Sequence, residues 1–236
     1  MTVPLDLAVK EMMFQPKMIL IDVDGTLVDS VPDLAYCVDA MMRQLGREPH
    51  GEAAVRNWVG NGVERLVQRA LTGELDGEPA EADYQRAYPV FVELYAENTA
   101  NRSVLYPGVN EGLAYLRGAG YPLGCVTNKA AQFTEPLLHQ LGIAHFFEII
   151  ISGDSLPRKK PDPLPLRHAA EHFGVEPDDA LMIGDSVSDV KAARAAGFSI
   201  VCMSYGYNHG RDIREAEPDA VIDSLVEIKG LLDRAA

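Results

Sequence analysis

Basic residues are scarce in this chain: 21 lysines and arginines stand against 35 aspartates and glutamates, a formal net charge of -14. A surface of that sign repels nucleic acid and anionic membrane, since both need a basic footprint. Neither is expected as a partner. Cysteine is rarer still: Cys37, Cys125 and Cys202 are far apart, odd in number and each set in an apolar stretch. They read as buried thiols, and a disulfide framework is excluded. No stretch approaches the roughly 18 apolar residues that a membrane helix requires. The opening residues carry Asp6, Lys10 and Glu11 in place of the apolar run of a secretion signal. A cytoplasmic protein is the expectation. Lysine is absent between Lys17 and Lys129. An acidic protein that acts on an anion must attract it with a local cluster of cations, and over that interval arginine alone can supply one.

What is present is the pattern of a layered α/β fold. Short apolar runs at 18–23, 123–127, 147–151, 180–183 and 200–203 alternate with helical segments at 130–141, 164–173 and 188–196. From the second run onward the repeat has the length of a strand–helix unit in a parallel sheet. Strands apolar on both faces belong to a sheet covered on both sides. About 100 residues separate the first run from the second, and they read as helices at 31–45, 52–59, 63–71 and 81–100. A helical insert after the first strand accounts for them. Tyr84, Tyr88, Phe91 and Tyr95 fall at helical spacing within it, a stripe that reads as core packing sooner than as a cofactor platform.

Chemistry gathers at the ends of the strands. Ile19-Leu20-Ile21-Asp22-Val23-Asp24-Gly25-Thr26 is an apolar strand running into two carboxylates at i and i+2, a spacing that puts both on one side at the carboxyl edge of the sheet. Gly25 permits a tight turn, and Ser30-Val31-Pro32-Asp33 has the form of a helix N-cap. Taken alone, Asp-x-Asp-Gly is equally a polar strand end feeding a turn. The second strand ends in Thr127-Asn128, the third is followed by Lys159-Lys160-Pro161-Asp162-Pro163, and the fourth ends in Gly184-Asp185-Ser186-Val187-Ser188-Asp189. Three carboxylates, a hydroxyl, an amide and an ammonium thus arise at strand ends of one sheet. Carboxylate oxygens without histidine or thiolate suit magnesium. A phosphate ester would need its charge neutralised before a carboxylate could attack it, and its leaving oxygen needs a proton from a second carboxyl. Two other strings are decoys or ambiguous. His168-Ala169-Ala170-Glu171-His172 spells a zinc motif, yet both histidines fall opposite the apolar face of their helix. Gly60-Asn61-Gly62 is either a turn between helices or a cradle of N–H groups for an anion.

These motifs, in this order, resemble the haloacid dehalogenase-like superfamily. Within it the phosphoglycolate phosphatases are the most similar group. Their pattern is matched by Asp22-Val23-Asp24-Gly25-Thr26-Leu27-Val28-Asp29-Ser30, by Trp58-Val59-Gly60-Asn61-Gly62, by Tyr106-Pro107-Gly108-Val109, by the lysine–proline segment, and by Tyr205-Gly206-Tyr207-Asn208-His209-Gly210. The resemblance implies a Rossmann-like parallel-sheet core formed by 18–30 and 103–236, with a helical cap over 31–102. It implies hydrolysis of a small anionic phosphate ester, 2-phosphoglycolate before another small phosphorylated metabolite or sugar phosphate, with Asp22 as nucleophile and Asp24 as general acid and then base. A non-catalytic binder of a phosphorylated metabolite is the alternative, and it would have no need of a nucleophile. Thr127 and Lys160 would hold the phosphoryl oxygens. Magnesium would be bound by Asp22, the Asp24 carbonyl and Asp185, with Asp189 behind them, supporting these ligands or reaching the ion through a water. Asn128, Gly60, Asn61 and Gly62 would contact substrate, and Arg56 and Arg65, which flank Trp58–Gly62, would clamp its carboxylate. The related dehalogenases have no need of Asp24, and the related phosphonate-cleaving enzymes and sugar-phosphate mutases employ a cap lysine that this chain lacks.

Overall fold

A computed structural model describes residues 14–232; the opening residues with Asp6, Lys10 and Glu11, and the last residues of the expected core, lie outside that range. Six parallel strands form one sheet: β1 (Met18–Ile21), β4 (Leu123–Val126), β5 (Ile149–Ile151), β6 (Ala180–Gly184), β7 (Ser199–Met203) and β8 (Ala220–Ile222), in the order β5-β4-β1-β6-β7-β8. The chain builds outward from β1 on one side and then returns to β6 on the other. Such a reversal opens a crevice at the carboxyl ends of the strands beside β1. The five expected runs all lie in the sheet. The sixth strand, β8, is three residues long and gave no pattern of its own.

Alternation along each strand sends side chains to two separate apolar layers. Ile19, Ile21, Leu181 and Ile183 pack with α5 (Val109–Gly118) and α6 (Ala131–Gln140), whereas Met18, Leu20, Ala180 and Met182 pack with α7 (Leu164–Phe173) and α8 (Val187–Ala196). Cys37, Cys125 and Cys202 are buried free thiols. His168 and His172 are both exposed, so they do not converge on a metal.

Between β1 and β4 stand α1 (Val31–Gln44), α2 (Glu52–Trp58), α3 (Val63–Thr72) and α4 (Glu81–Glu97), with an apolar cluster of their own. Tyr84 and Tyr88 stack at 5.4 Å, and Phe91 and Tyr95 are fully buried. Two linkers join this helical unit to the sheet, and they pair as the antiparallel strands β2 (Val28–Asp29) and β3 (Val104–Leu105). Sequence reasoning missed that ribbon, whose strands are two residues each and 75 residues apart. Ser30 is the N-cap residue of α1, as expected, but its side chain makes no capping hydrogen bond. Asp33, fully buried, turns away from its own helix and accepts from Arg102 N (2.8 Å), Ser103 N (2.7 Å) and Ser103 Oγ (2.7 Å). The acid that local rules assign to a helix start therefore ties one linker to the other.

Candidate active site

Asp22 follows β1 directly, and its N–H extends the ladder by donating to Ile183 O at 3.0 Å. Past Val23 the chain leaves the sheet and turns at Gly25, where φ is +84°. A Cβ at Gly25 would strike the Asp185 carboxylate and the Tyr207 ring, and one at Gly206 would strike Asp185 from the other side. Both glycines are required for the backbone to pass that close.

Asp22, Asp24, Thr127, Asn128, Lys160 and Asp185 line one cavity at the carboxyl end of the sheet, with Gly60, Asn61 and Gly62 on its opposite wall. Lys160 is buried with its Nζ donating to Val126 O at 2.7 Å, and lies 3.0 Å from Asp22 Oδ1 and 2.7 Å from Asp189 Oδ1. Asn128 Nδ2 donates to Lys160 O at 2.9 Å and so braces that lysine from behind. Asp185 accepts from Thr26 Oγ1 at 2.7 Å and Tyr207 N at 2.6 Å. Asp189 caps the start of α8 from inside, accepting from Ser186 N (3.0 Å), Ser186 Oγ (2.7 Å) and Asp185 N (3.2 Å).

The formal charges do not balance. Counted as fully ionised, Asp22, Asp24, Asp185 and Asp189 face two ammonium groups, Lys129 and Lys160, a formal excess of two acids in the pocket. Burial pushes the Asp22 carboxyl up to about 6, with Lys160 pulling against it and Asp189 adding to it. Burial raises Asp185 well above the ordinary carboxylate range as well, and Asp189 and Asp22 add to the effect. Burial alone would lower Lys160, but Asp189 and Asp22 outweigh it and hold the ammonium above the usual lysine value. Carboxylate oxygens of Asp22, Asp185 and Asp189 lie within 4.8 Å of one another. Asp22 Oδ1 and Asp189 Oδ1, though within ion-pair distance of Lys160, have no hydrogen bond of good geometry among the described residues. An all-oxygen cluster with surplus negative charge and lone pairs to spare fits a hard divalent cation.

The two arginines expected at the substrate do not line the cavity. Arg56 is held by both carboxylate oxygens of Asp29 (3.2 and 3.1 Å) and by Glu52 (2.8 Å). Arg65 donates to Gln68 Oε1 (2.8 Å) and to the carbonyls of Leu75 and Gly77 (3.1 and 3.2 Å). Arg56 is consumed by the linker acid Asp29 and by Glu52 of its own helix, and Arg65 by acceptors within the helical unit, which spacing along the sequence could not reveal. Arg69, unremarked in the sequence, is the buried one. It donates to Trp58 O, to Gly60 O at 3.2 Å and to Asn61 Oδ1 at 3.1 Å, and so holds the 58–62 loop from behind.

Four other residues were given no site role by the sequence, although Tyr95, Tyr207 and His209 lie in segments singled out there. Lys129 lies next to Asn128 and grips Asp24, and Tyr95 of the aromatic stripe meets that lysine. Tyr207 ties the sheet to the linker: its hydroxyl accepts from Ser30 N at 3.0 Å and Val31 N at 3.3 Å and donates to Asp29 Oδ1. His209 lines the cavity, with Nδ1 2.9 Å from Asn57 O, and burial holds it below the ordinary histidine value.

A parallel sheet reversing at β1, with two carboxylates after that strand, a hydroxyl after the next, a buried lysine and a third acid, is the architecture of one hydrolase family. The model of the haloacid dehalogenase-like hydrolases matches residues 16–197, and the chain belongs to that family. It is similar to the phosphoglycolate phosphatase of Nitrosococcus oceani, 68% identical over 225 residues that span 95% of this chain and 100% of the relative. It is also 46% identical to that of Nitrosospira multiformis, over 93% of this chain and 97% of the relative. Among solved structures, a predicted phosphoglycolate phosphatase from Haemophilus somnus superposes with a TM-score of 0.86 at 38% identity, over 92% of this chain and 98% of that one. Among the described residues no helix is long and apolar enough to cross a membrane.

Proposed function

We propose that this enzyme hydrolyses 2-phosphoglycolate to glycolate and inorganic phosphate through an aspartyl-phosphate (acyl phosphate) on Asp22, with magnesium bound by Asp22, Asp185 and the main-chain carbonyl of Asp24. The observation that carries the reading is the meeting of Asp22, Asp24, Thr127, Lys160 and Asp185 in one cavity, in a chain 68% identical to a relative named for that activity. In this reading 31–102 is the cap and the remainder of 18–236 the catalytic core, with the reaction shielded from water between them.

An Asp22 carboxylate oxygen attacks phosphorus as the bond to the glycolate oxygen breaks. Lys160 and the Thr127 hydroxyl bind the equatorial phosphoryl oxygens, where negative charge is greatest. Asp24 gives its proton to the leaving alkoxide. It then takes a proton from the water that attacks phosphorus of the Asp22 acyl phosphate, which breaks the bond to the carboxylate oxygen, releases phosphate and returns both carboxyls to their starting state. When bound, magnesium supplies the positive charge that the acids lack and offsets the phosphoryl charge. Asp189 supports the site by aligning Lys160 and the Asp185 main chain.

The substrate's carboxylate faces the cap wall. There the carbonyls of Trp58 and Gly60 are drawn inward to Arg69, which leaves Gly60-Asn61-Gly62 to present N–H groups to an anion. A panel of small phosphate esters ranked by kcat/KM tests the substrate: a tenfold preference for another ester overturns it. Beryllofluoride trapping tests the mechanism, with an adduct expected on Asp22 in the wild type. Retained turnover in Asp22→Asn overturns the covalent route.

A further inference from the structure

Asp24 reaches nothing on its own terms. Its carboxylate is taken at both oxygens by Lys129 Nζ, 3.1 Å from Oδ1 and 3.0 Å from Oδ2, and the same ammonium donates to Tyr95 Oη at 2.6 Å. The lysine side chain is 1% exposed and Asp24 19%. An ammonium has three protons, and these contacts use all of them. The main chain of Lys129 is equally constrained: its N–H donates to Thr127 Oγ1 at 3.3 Å, and its carbonyl accepts from Gly153 N at 2.8 Å and Thr134 Oγ1 at 3.1 Å. The arm is rooted in the strand end that carries Thr127 and ends at the acid beside the nucleophile.

Tyr95 comes from the other unit. It lies on α4, fully buried, with its ring 5.6 Å from Phe91 of the same helix and 4.8 Å from Phe133 of α6. The Lys129 ammonium also sits 4.9 Å from the Tyr95 ring. The direction of the Asp24 carboxylate is therefore referenced to both halves of the molecule at once.

We infer that Lys129 is the positioning residue for the acid–base carboxylate of Asp24, held in register with the helical unit by the Tyr95 hydroxyl. The inference rests on the acid–base reading of Asp24 proposed above. In this role Lys129 acts through Asp24, the carboxylate its ammonium grips, and needs no contact with the reacting atoms. Because it grips two oxygens, Asp24 can yield one to the leaving group and still be anchored by the other, so the carboxyl pivots in place. Aim of that kind is worth large factors in rate, since about 1 Å of misplacement costs on the order of 100-fold.

The test compares two esters that differ in their need for a proton: 2-phosphoglycolate, which expels an alkoxide, and p-nitrophenyl phosphate, which expels a stable phenolate. The readout is kcat/KM, which covers the steps up to transfer onto Asp22. Lys129→Met should lower it about 10–100-fold for 2-phosphoglycolate, with a loss at least tenfold smaller for the nitrophenyl ester. In kcat both esters should fall, because hydrolysis of the Asp22 acyl phosphate again requires a well-aimed Asp24. Tyr95→Phe, which removes one hydroxyl and little volume, should shift kcat/KM in the same selective sense by about 3–10-fold, and it decides the matter if Lys129→Met fails to fold. Equal losses on both esters would make Lys129 a general attractor of anions, and no loss would make it a structural ion pair; either overturns the inference. Asp24→Asn, measured alongside, separates the two levels: if it too lowers both esters equally, the acid–base role of Asp24 fails first.

Discussion

Replacing Asp22, the proposed nucleophile, should make the metal-free protein more stable while it destroys activity. Burial raises the Asp22 carboxyl from the ordinary 3.8 to about 6. Between those values the folded state holds a proton that the unfolded chain has already lost, so stability falls as pH rises through that window. Above it the folded protein bears the full cost of an ionised Asp22. A rise of about two pH units corresponds to about 3 kcal/mol, at about 1.4 kcal/mol each. Asparagine fills nearly the same volume and carries no charge at any pH. EDTA-treated Asp22→Asn should therefore melt about 6–12 °C above EDTA-treated wild type near pH 7.5, at about 2–4 °C per kcal/mol for a chain of this size. The gain should shrink steadily toward pH 4, where the aspartate is protonated too. Magnesium should narrow the gap by stabilising the wild type more, since the variant lacks one ligand. Differential scanning calorimetry across this range, with and without the ion, makes the measurement. A metal-free variant less stable than wild type near pH 7.5, or a gain indifferent to pH, would refute the argument that Asp22 is held ionised against its surroundings.

Other perturbations separate the remaining roles. Asp24→Asn should still bind phosphate esters yet lose about 10²–10⁴ in kcat/KM on 2-phosphoglycolate, with a smaller loss on p-nitrophenyl phosphate and accumulation of phosphorylated enzyme seen by mass spectrometry. Chelation should silence the enzyme and magnesium restore it, and the rise in Tm caused by magnesium should be larger near pH 7.5 than near pH 5, because protons on the raised Asp22 and Asp185 carboxyls compete with the ion. Restoration by zinc alone would count against the all-oxygen site. Tyr207→Phe strands the buried N–H groups of Ser30 and Val31, at about 1–3 kcal/mol for each buried donor left unpaired; a change below about 0.5 kcal/mol in urea unfolding would refute that role. Arg56→Ala and Arg65→Ala should alter kcat/KM alike for esters with and without a carboxylate, and a loss confined to 2-phosphoglycolate would return either arginine to the substrate.

The sequence by itself determined the layered sheet, because a strand buried on both faces must be apolar throughout, and runs such as Ile19-Leu20-Ile21 declare it locally. It determined the acids, hydroxyl and lysine of the cavity for a related reason. In an open parallel sheet every strand delivers its carboxyl end to the same edge, so Asp22, Thr127, Lys160 and Asp185 could be brought together on paper from their positions after strands. Tertiary structure decided which charges are free. Arg56 and Arg65 looked available in the sequence because nothing in it announces that Asp29, Glu52, Gln68 and two carbonyls claim them. Lys129 and Tyr95 looked ordinary because their partners lie far away in the chain: Asp24 is 105 residues from Lys129, and Tyr95 is 34. Asp33 shows the same limit in reverse, a residue placed for a helix cap that bonds instead to residues 69 and 70 positions onward. Periodicity and turn chemistry act over a few residues and are written in sequence order. The pairing of buried charges is settled by whichever partner packing brings within about 3 Å, and only the folded chain determines that.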